Sequence, residues 1–126
     1  MTKDELIVSV SPLLKSEGFK KSRTTWHKGS SEGIYVFNIQ ASQFGPEYYL
    51  NVGFYISALG SIEKPPEYKC HIRERLNLTG NADNLFQEIQ RWFSEFGSIN
   101  KLRSHAESES LPLTTTKLAH EYLKQQ

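Results

Sequence analysis

At 126 residues, with 15 lysines and arginines against 14 aspartates and glutamates, the chain carries a formal charge of only +1. So close a balance excludes attraction to nucleic acid or an anionic membrane through a global field, and any charged site has to be local. One domain of this length removes roughly two thirds of its unfolded surface from water and can build a core without staples; an aromatic content of 12% with a mean hydropathy of −0.53 suits a compact domain rather than a disordered chain.

The single cysteine, Cys70, rules out an intramolecular disulfide and fits a reducing compartment. No apolar run approaches the ~20 residues of a membrane span, and the opening MTKDELIVSV is acidic where a secretory leader would be basic. The expectation is a cytoplasmic protein, in which the formal glycosylation sequon Asn77-Leu78-Thr79 has no meaning.

Thr2 and Glu5 have the spacing of a capping box, so a helix begins there. Leu6, Ile7, Val10, Leu13 and Leu14 continue it at helical spacing, and Gly18 is placed to end it. Pro12 removes one helical hydrogen bond, which predicts a kink with Ser11 recapping the second half. Phe19 to Lys28 reads as one strand, closed by the turn Gly29-Ser30-Ser31-Glu32-Gly33. Ile34 to Leu59 then holds two alternating runs on either side of Gly45-Pro46, a β-hairpin. Because side chains alternate along a strand, Tyr35, Phe37, Ile39 and Ala41 share one face with Leu50, Val52, Phe54 and Ile56.

Gly60 to Tyr68 contains Pro65-Pro66 and reads as a surface loop. Cys70 to Leu76 alternates again and predicts a fourth strand, at the sheet edge because of its charge. From about Asp83 to Phe96 the period becomes 3.6, with Leu85, Phe86, Ile89, Trp92, Phe93 and Phe96 in one stripe that covers the sheet. Each such side chain contributes roughly 1.5–3 kcal/mol if buried. A further helix is read through Ile99 to His105, a polar linker through Ala106 to Ser110, and a narrower helical stripe through Leu118, Ala119, Tyr122 and Leu123. The fold expected is α+β: a four-stranded antiparallel sheet, a kinked N-terminal helix, and a C-terminal helical segment on one face. Residues 1–97 form the core domain and 98–126 a helical tail that docks on it or on a partner.

Four segments, PLLKSEGFKK from Pro12, NIQAS from Asn38, YYLNVGFY from Tyr48 and CHIRERL from Cys70, together resemble a bacterial family of uncharacterised proteins, domain-of-unknown-function family 4304. The resemblance covers roughly Leu6 to Phe96. It implies an α+β domain in the bacterial cytoplasm, and it brings no activity, cofactor or catalytic residue.

Opposite the apolar face of the hairpin lie Asn38, Gln40, Tyr49, Asn51 and Tyr55, joined by His71, Arg73 and Arg75 if the fourth strand pairs in register. Amides, phenols and guanidinium groups suit a polar ligand or a protein interface anchored by Tyr and Arg. The plain alternative is a solvated sheet face, common in antiparallel sheets. Gly53 in this set permits either a close backbone approach or a bulge. Arg73 and Arg75 with Lys20, Lys21 and Arg23 are few for a phosphate patch and have glutamates beside them. Tyr49 and Tyr55 could stack RNA bases, but no ribonucleoprotein-type motif accompanies them.

Cys70 and His71, as strand neighbours, point to opposite faces, so no nucleophile-base pair is read there. His27, His71, His105 and His120 lack metal-ligand spacing, and paired carboxylates, phosphate loops and nucleophile elbows are missing. Neither a catalytic residue, nor a metal, nor a cofactor is therefore assigned.

The reading that follows is a non-catalytic module that recognises another macromolecule, a protein, through the polar sheet face; an inhibitor or immunity-type protein is one concrete form. A small-ligand protein or enzyme with a pocket beside Pro65-Pro66 is the alternative, and a weak RNA platform the third. Neither a nucleic-acid nor a membrane partner is expected. Self-association would be sought at the C-terminal helix or at a sheet edge.

Overall fold

The computed structural model describes residues 1–78 and 80–125. Helix α1, Lys3–Ser16, begins at Thr2 with the full capping box: the Glu5 amide donates to the Thr2 hydroxyl and the Thr2 amide to the Glu5 carboxylate. Pro12 lies inside α1 and does not divide it into two helices. The Ser11 hydroxyl donates back to the Ile7 carbonyl at 2.5 Å instead of recapping a second helix. Gly18 follows with φ +95°, the left-handed conformation that glycine adopts most cheaply.

Among the described residues the sheet has six antiparallel strands, not four: β1 Lys20–Ser22, β2 Thr25–Gly29, β3 Gly33–Ala41, β4 Tyr48–Ile56, β5 Ile72–Leu76 and β6 Thr114–Thr115, side by side in sequence order. The single strand expected over Phe19 to Lys28 is a tight hairpin. Arg23 takes a left-handed φ of 57° at its turn, pairing Ser22 with Thr25. Strand β6 lies outside β5, so β5 is not an edge. Two residues are too few for an alternating pattern to register.

The β3–β4 hairpin has the register its alternation dictates, with Tyr35 opposite Phe54, Phe37 opposite Val52 and Ile39 opposite Leu50. Their face meets α1 through Leu6, Val10 and Leu14 and meets α2, Ala82–Phe96, through Leu85, Ile89, Trp92 and Phe93. Asn81 caps α2 through a reciprocal pair of hydrogen bonds with Asn84. Helix α3, Ile99–Glu107, starts where the Ile99 amide donates to the Glu32 carboxylate at 3.1 Å. Helix α4, Lys117–Lys124, buries Ala119 and Leu123 in the same core as the sheet and the other helices. No helix among the described residues is long and apolar enough to cross a membrane.

Candidate functional site

The helices that contribute to the main core pack on one face of the sheet, and the polar row of the central strands lies on the other. That face is divided. Residues 57–71, including short 3₁₀ turns at Ser57–Leu59 and Glu67–Lys69, fold back over its β2–β5 region. The Tyr55 hydroxyl accepts from the Ile62 amide at 3.2 Å, and His27 Nε2 lies 2.7 Å from the Pro65 carbonyl. Glu67 closes the crossing with two hydrogen bonds from Arg73, at 3.0 and 3.2 Å. Beneath the loop Val36, Tyr55 and Cys70 form a second, smaller apolar cluster, with Ile34 at its border.

Gly53 makes this descent possible. A Cβ there would lie 2.7 Å from Cys70 Cβ and 2.8 Å from its sulfur, so the residue serves a close approach. The segment Gly60 to Tyr68, expected as a surface loop, thus has Pro65 and Glu67 buried, and Cys70 just beyond it is buried as well.

The eight residues proposed for the plateau separate accordingly. Tyr55 and His71 are only 4% and 7% exposed and do not belong to an open surface. Their rings pack at 4.7 Å between centroids, and His71 Nδ1 accepts the Ile56 amide at 2.9 Å. Burial holds the imidazole below the usual histidine pKa. Arg73 is neutralised by Glu67. Asn38, Gln40, Tyr49, Asn51 and Arg75 remain together on the uncovered half.

Those five form one connected set. Asn51, although on the outer face, is only 5% exposed. Its Nδ2 donates to Asn38 Oδ1 at 3.3 Å and to Gln40 Oε1 at 3.0 Å, and its Oδ1 accepts from Arg75 Nε at 3.3 Å. Asn38 is fixed in turn by donating to the Thr24 carbonyl and the Thr25 hydroxyl. The Arg75 guanidinium lies 4.1 Å above the centre of the Tyr49 ring. Arg75 is exposed at the mouth of a hollow of about 300 Å³ lined also by Glu47, Tyr48, Leu50, Asn77 and Leu78. A guanidinium held at Nε and stacked on an aromatic keeps its outer N–H groups aimed at solvent, the geometry that receives a carboxylate or phosphate oxygen pair.

Other candidates come apart. Cys70 is a buried thiol whose pKa burial pushes well up, and its sulfur lies 4.0 Å from the Pro66 carbonyl, while the neighbouring His71 faces Ile56. The supposed basic patch is dispersed, because three strands separate β1, carrying Lys20 and Lys21, from β5 with Arg73 and Arg75. Tyr55 is covered and Arg75 occupies one face of Tyr49, so neither ring of the base-stacking platform is free on both sides. Glu74, counted as a neighbour of the arginines, instead accepts the Trp92 indole N–H at 2.9 Å on the helix-covered face.

One hydrogen-bonded set was not legible in the sequence. His105 stands between Glu95, 2.7 Å from Nε2, and Ser110, 2.7 Å from Nδ1. This carboxylate–imidazole–hydroxyl connectivity resembles a nucleophile relay. The Ser110 hydroxyl also has the His105 carbonyl within 3.4 Å, and the Ser110 amide donates to that carbonyl at 2.8 Å. The set therefore closes the end of α3 and ties it to α2. Among the described residues no group of three or more His, Cys, Asp or Glu is gathered as a metal would require.

Comparison with known families matches residues 10–110 to the family described as Domain of unknown function (DUF4304). The chain belongs to that family. The match runs from within α1 to just beyond α3, so it takes in strands β1 to β5 and leaves β6 and α4 outside. Neither the curated proteins nor the solved structures contain a match to the chain.

Proposed function

We propose that this DUF4304 domain is a non-catalytic recognition module whose partner, another protein, docks on the uncovered half of the sheet. The observation that carries this reading is the fixed pose of Arg75, clamped between Asn51 Oδ1 and the Tyr49 ring. An exposed arginine ordinarily loses side-chain freedom when it binds, and one already ordered loses less. Arg and Tyr are also residues that dominate interface energetics. The partner then presents a carboxylate to Arg75 and polar groups to Gln40 and Asn38. An inhibitor or immunity-type protein that covers an acidic site on its target is the form we favour. Bacterial origin and a cytoplasmic setting belong to the same reading.

The test compares capture from the source cell lysate by wild type, Arg75→Ala and Tyr49→Ala, with protein, nucleic acid and small molecules analysed separately. A single protein retained by wild type is then purified and its affinity measured. Loss of about 2 kcal/mol or more on Arg75→Ala is expected for a central anchor. A captured protein whose affinity ignores both substitutions, or capture of a nucleic acid in its place, would overturn the proposal.

A further inference from the structure

On the other side of the molecule, far from Arg75 in strand order, α1 and the β1–β2 hairpin enclose a groove of about 710 Å³. Its walls are Pro12, Phe19 and Trp26, with Ser11 and Gly18 between them and Lys15, Lys20 and Lys21 around the rim. We propose that this groove binds a small amphipathic carboxylate, an alkyl or aryl acid whose carbon body lies along Pro12, Phe19 and Trp26 and whose carboxylate meets the lysines.

Two features converge on that chemistry. First, the lining contains three cations and no acidic side chain, in a chain whose overall charge is only +1. None of the three lysines joins an ion pair among the described residues. Lys21 Nζ lies 5.9 Å from the centre of the Trp26 ring, over the apolar floor and not away from it. Second, the apolar surface continues along α1. Val8, Ser11, Pro12 and Lys15 stand at helical spacing on one face, and Val8 is 73% exposed, which gives an acyl or aryl body a second place to lie.

A volume of this size is within the range of small-molecule sites, and a mostly apolar lining with a few convergent polar groups is their usual character. Charge selects the head group and the aromatic floor selects the body. An uncharged alcohol of the same chain length gains only the second.

The test titrates decanoate, and decanol as its uncharged counterpart, into the full chain while following backbone amide shifts and indole fluorescence. Saturable shifts at Phe19, Lys21 and the Trp26 indole with decanoate, and weaker binding of decanol, are expected. Lys15→Glu with Lys21→Glu should weaken decanoate by about tenfold or more. Both lysines are exposed, so circular dichroism should show an unchanged fold. Arg75→Ala should leave decanoate binding as it is, which separates this groove from the sheet-face proposal. Equal affinity for decanol and decanoate, shifts confined to another surface, or no saturation would overturn the proposal. So would exclusive binding of an acidic aromatic peptide in the groove, which would make it a protein-docking site instead.

Discussion

Glu67 and Arg73 meet in a two-pronged ion pair, with the carboxylate 8% exposed and the guanidinium side chain 32% exposed. Glu67 stands in the crossing loop and Arg73 in β5, so this pair fastens the loop to the sheet. Removing the carboxylate strands a guanidinium in a half-buried place. Glu67→Ala should cost about 1–3 kcal/mol, discounted from the fully buried case because Arg73 retains water contact. The double variant Glu67→Leu/Arg73→Met should recover part of that loss. Urea midpoints of the three proteins would decide it.

A methyl group at position 53 would press directly on Cys70. Gly53→Ala should therefore destabilise the chain by about 1–3 kcal/mol, as overpacking does, and lift the loop. The lift has its own readout: the Cys70 thiol, 1% exposed in the native protein, should react with an aromatic disulfide reagent markedly faster in the variant. Slow thiol reaction with a large stability loss would mean that the strain is absorbed elsewhere.

His71 gives the stability a dependence on pH. Burial lowers its folded pKa, and its Nδ1 is engaged in accepting the Ile56 amide. At pH 8 both folded and unfolded chains hold it neutral, and it contributes no slope. As pH falls below about 6.5 the unfolded chain takes up the proton first, so stability declines until the lowered folded value is reached. His71→Asn, whose Oδ1 can occupy the acceptor position of Nδ1, should flatten this part of the profile. His27 also contacts the loop, through Pro65, and the difference between wild type and His71→Asn isolates the His71 contribution. Parallel profiles for the two proteins would show that His71 is not responsible.

Asn51→Asp changes one atom of the polar row and reverses its logic. The donor that serves Asn38 Oδ1 and Gln40 Oε1 becomes an acceptor facing acceptors. Asn38 cannot flip its amide to compensate without abandoning the Thr24 carbonyl and the Thr25 hydroxyl. A loss of about 1–3 kcal/mol is expected, together with chemical-shift changes at Arg75 Nε. An unchanged unfolding midpoint would show that the row is held by other contacts.

The parts of this fold that could be read in the sequence are those with many repeats of one signal. Nine-residue strands β3 and β4 alternate cleanly, and α2 carries five buried residues at helical spacing. The polar row of Asn38, Gln40, Asn51 and Arg75 followed from the same alternation, because a strand that buries one face must present the other. What escaped was short or depended on distant residues. The Arg23 turn has no glycine to announce it, and the two residues of β6 carry no period. Withdrawal of Tyr55 and His71 from the surface depends on a loop whose descent is set by Gly53, Glu67 and His27. No local pattern around Tyr55 encodes that cover. Likewise the lysine-rimmed groove joins α1 to β1 across a chain reversal, so no single local run of residues announces it.

Strand β6 and helix α4 follow every other element in sequence, yet they cover the outer side of β5 and supply Ala119 and Leu123 to the core. A ribosome works from the N-terminus, so the nascent sheet emerges with one border bare and its hydrophobic interior unfinished. Only when residue 123 has cleared the exit tunnel can the last gap be filled.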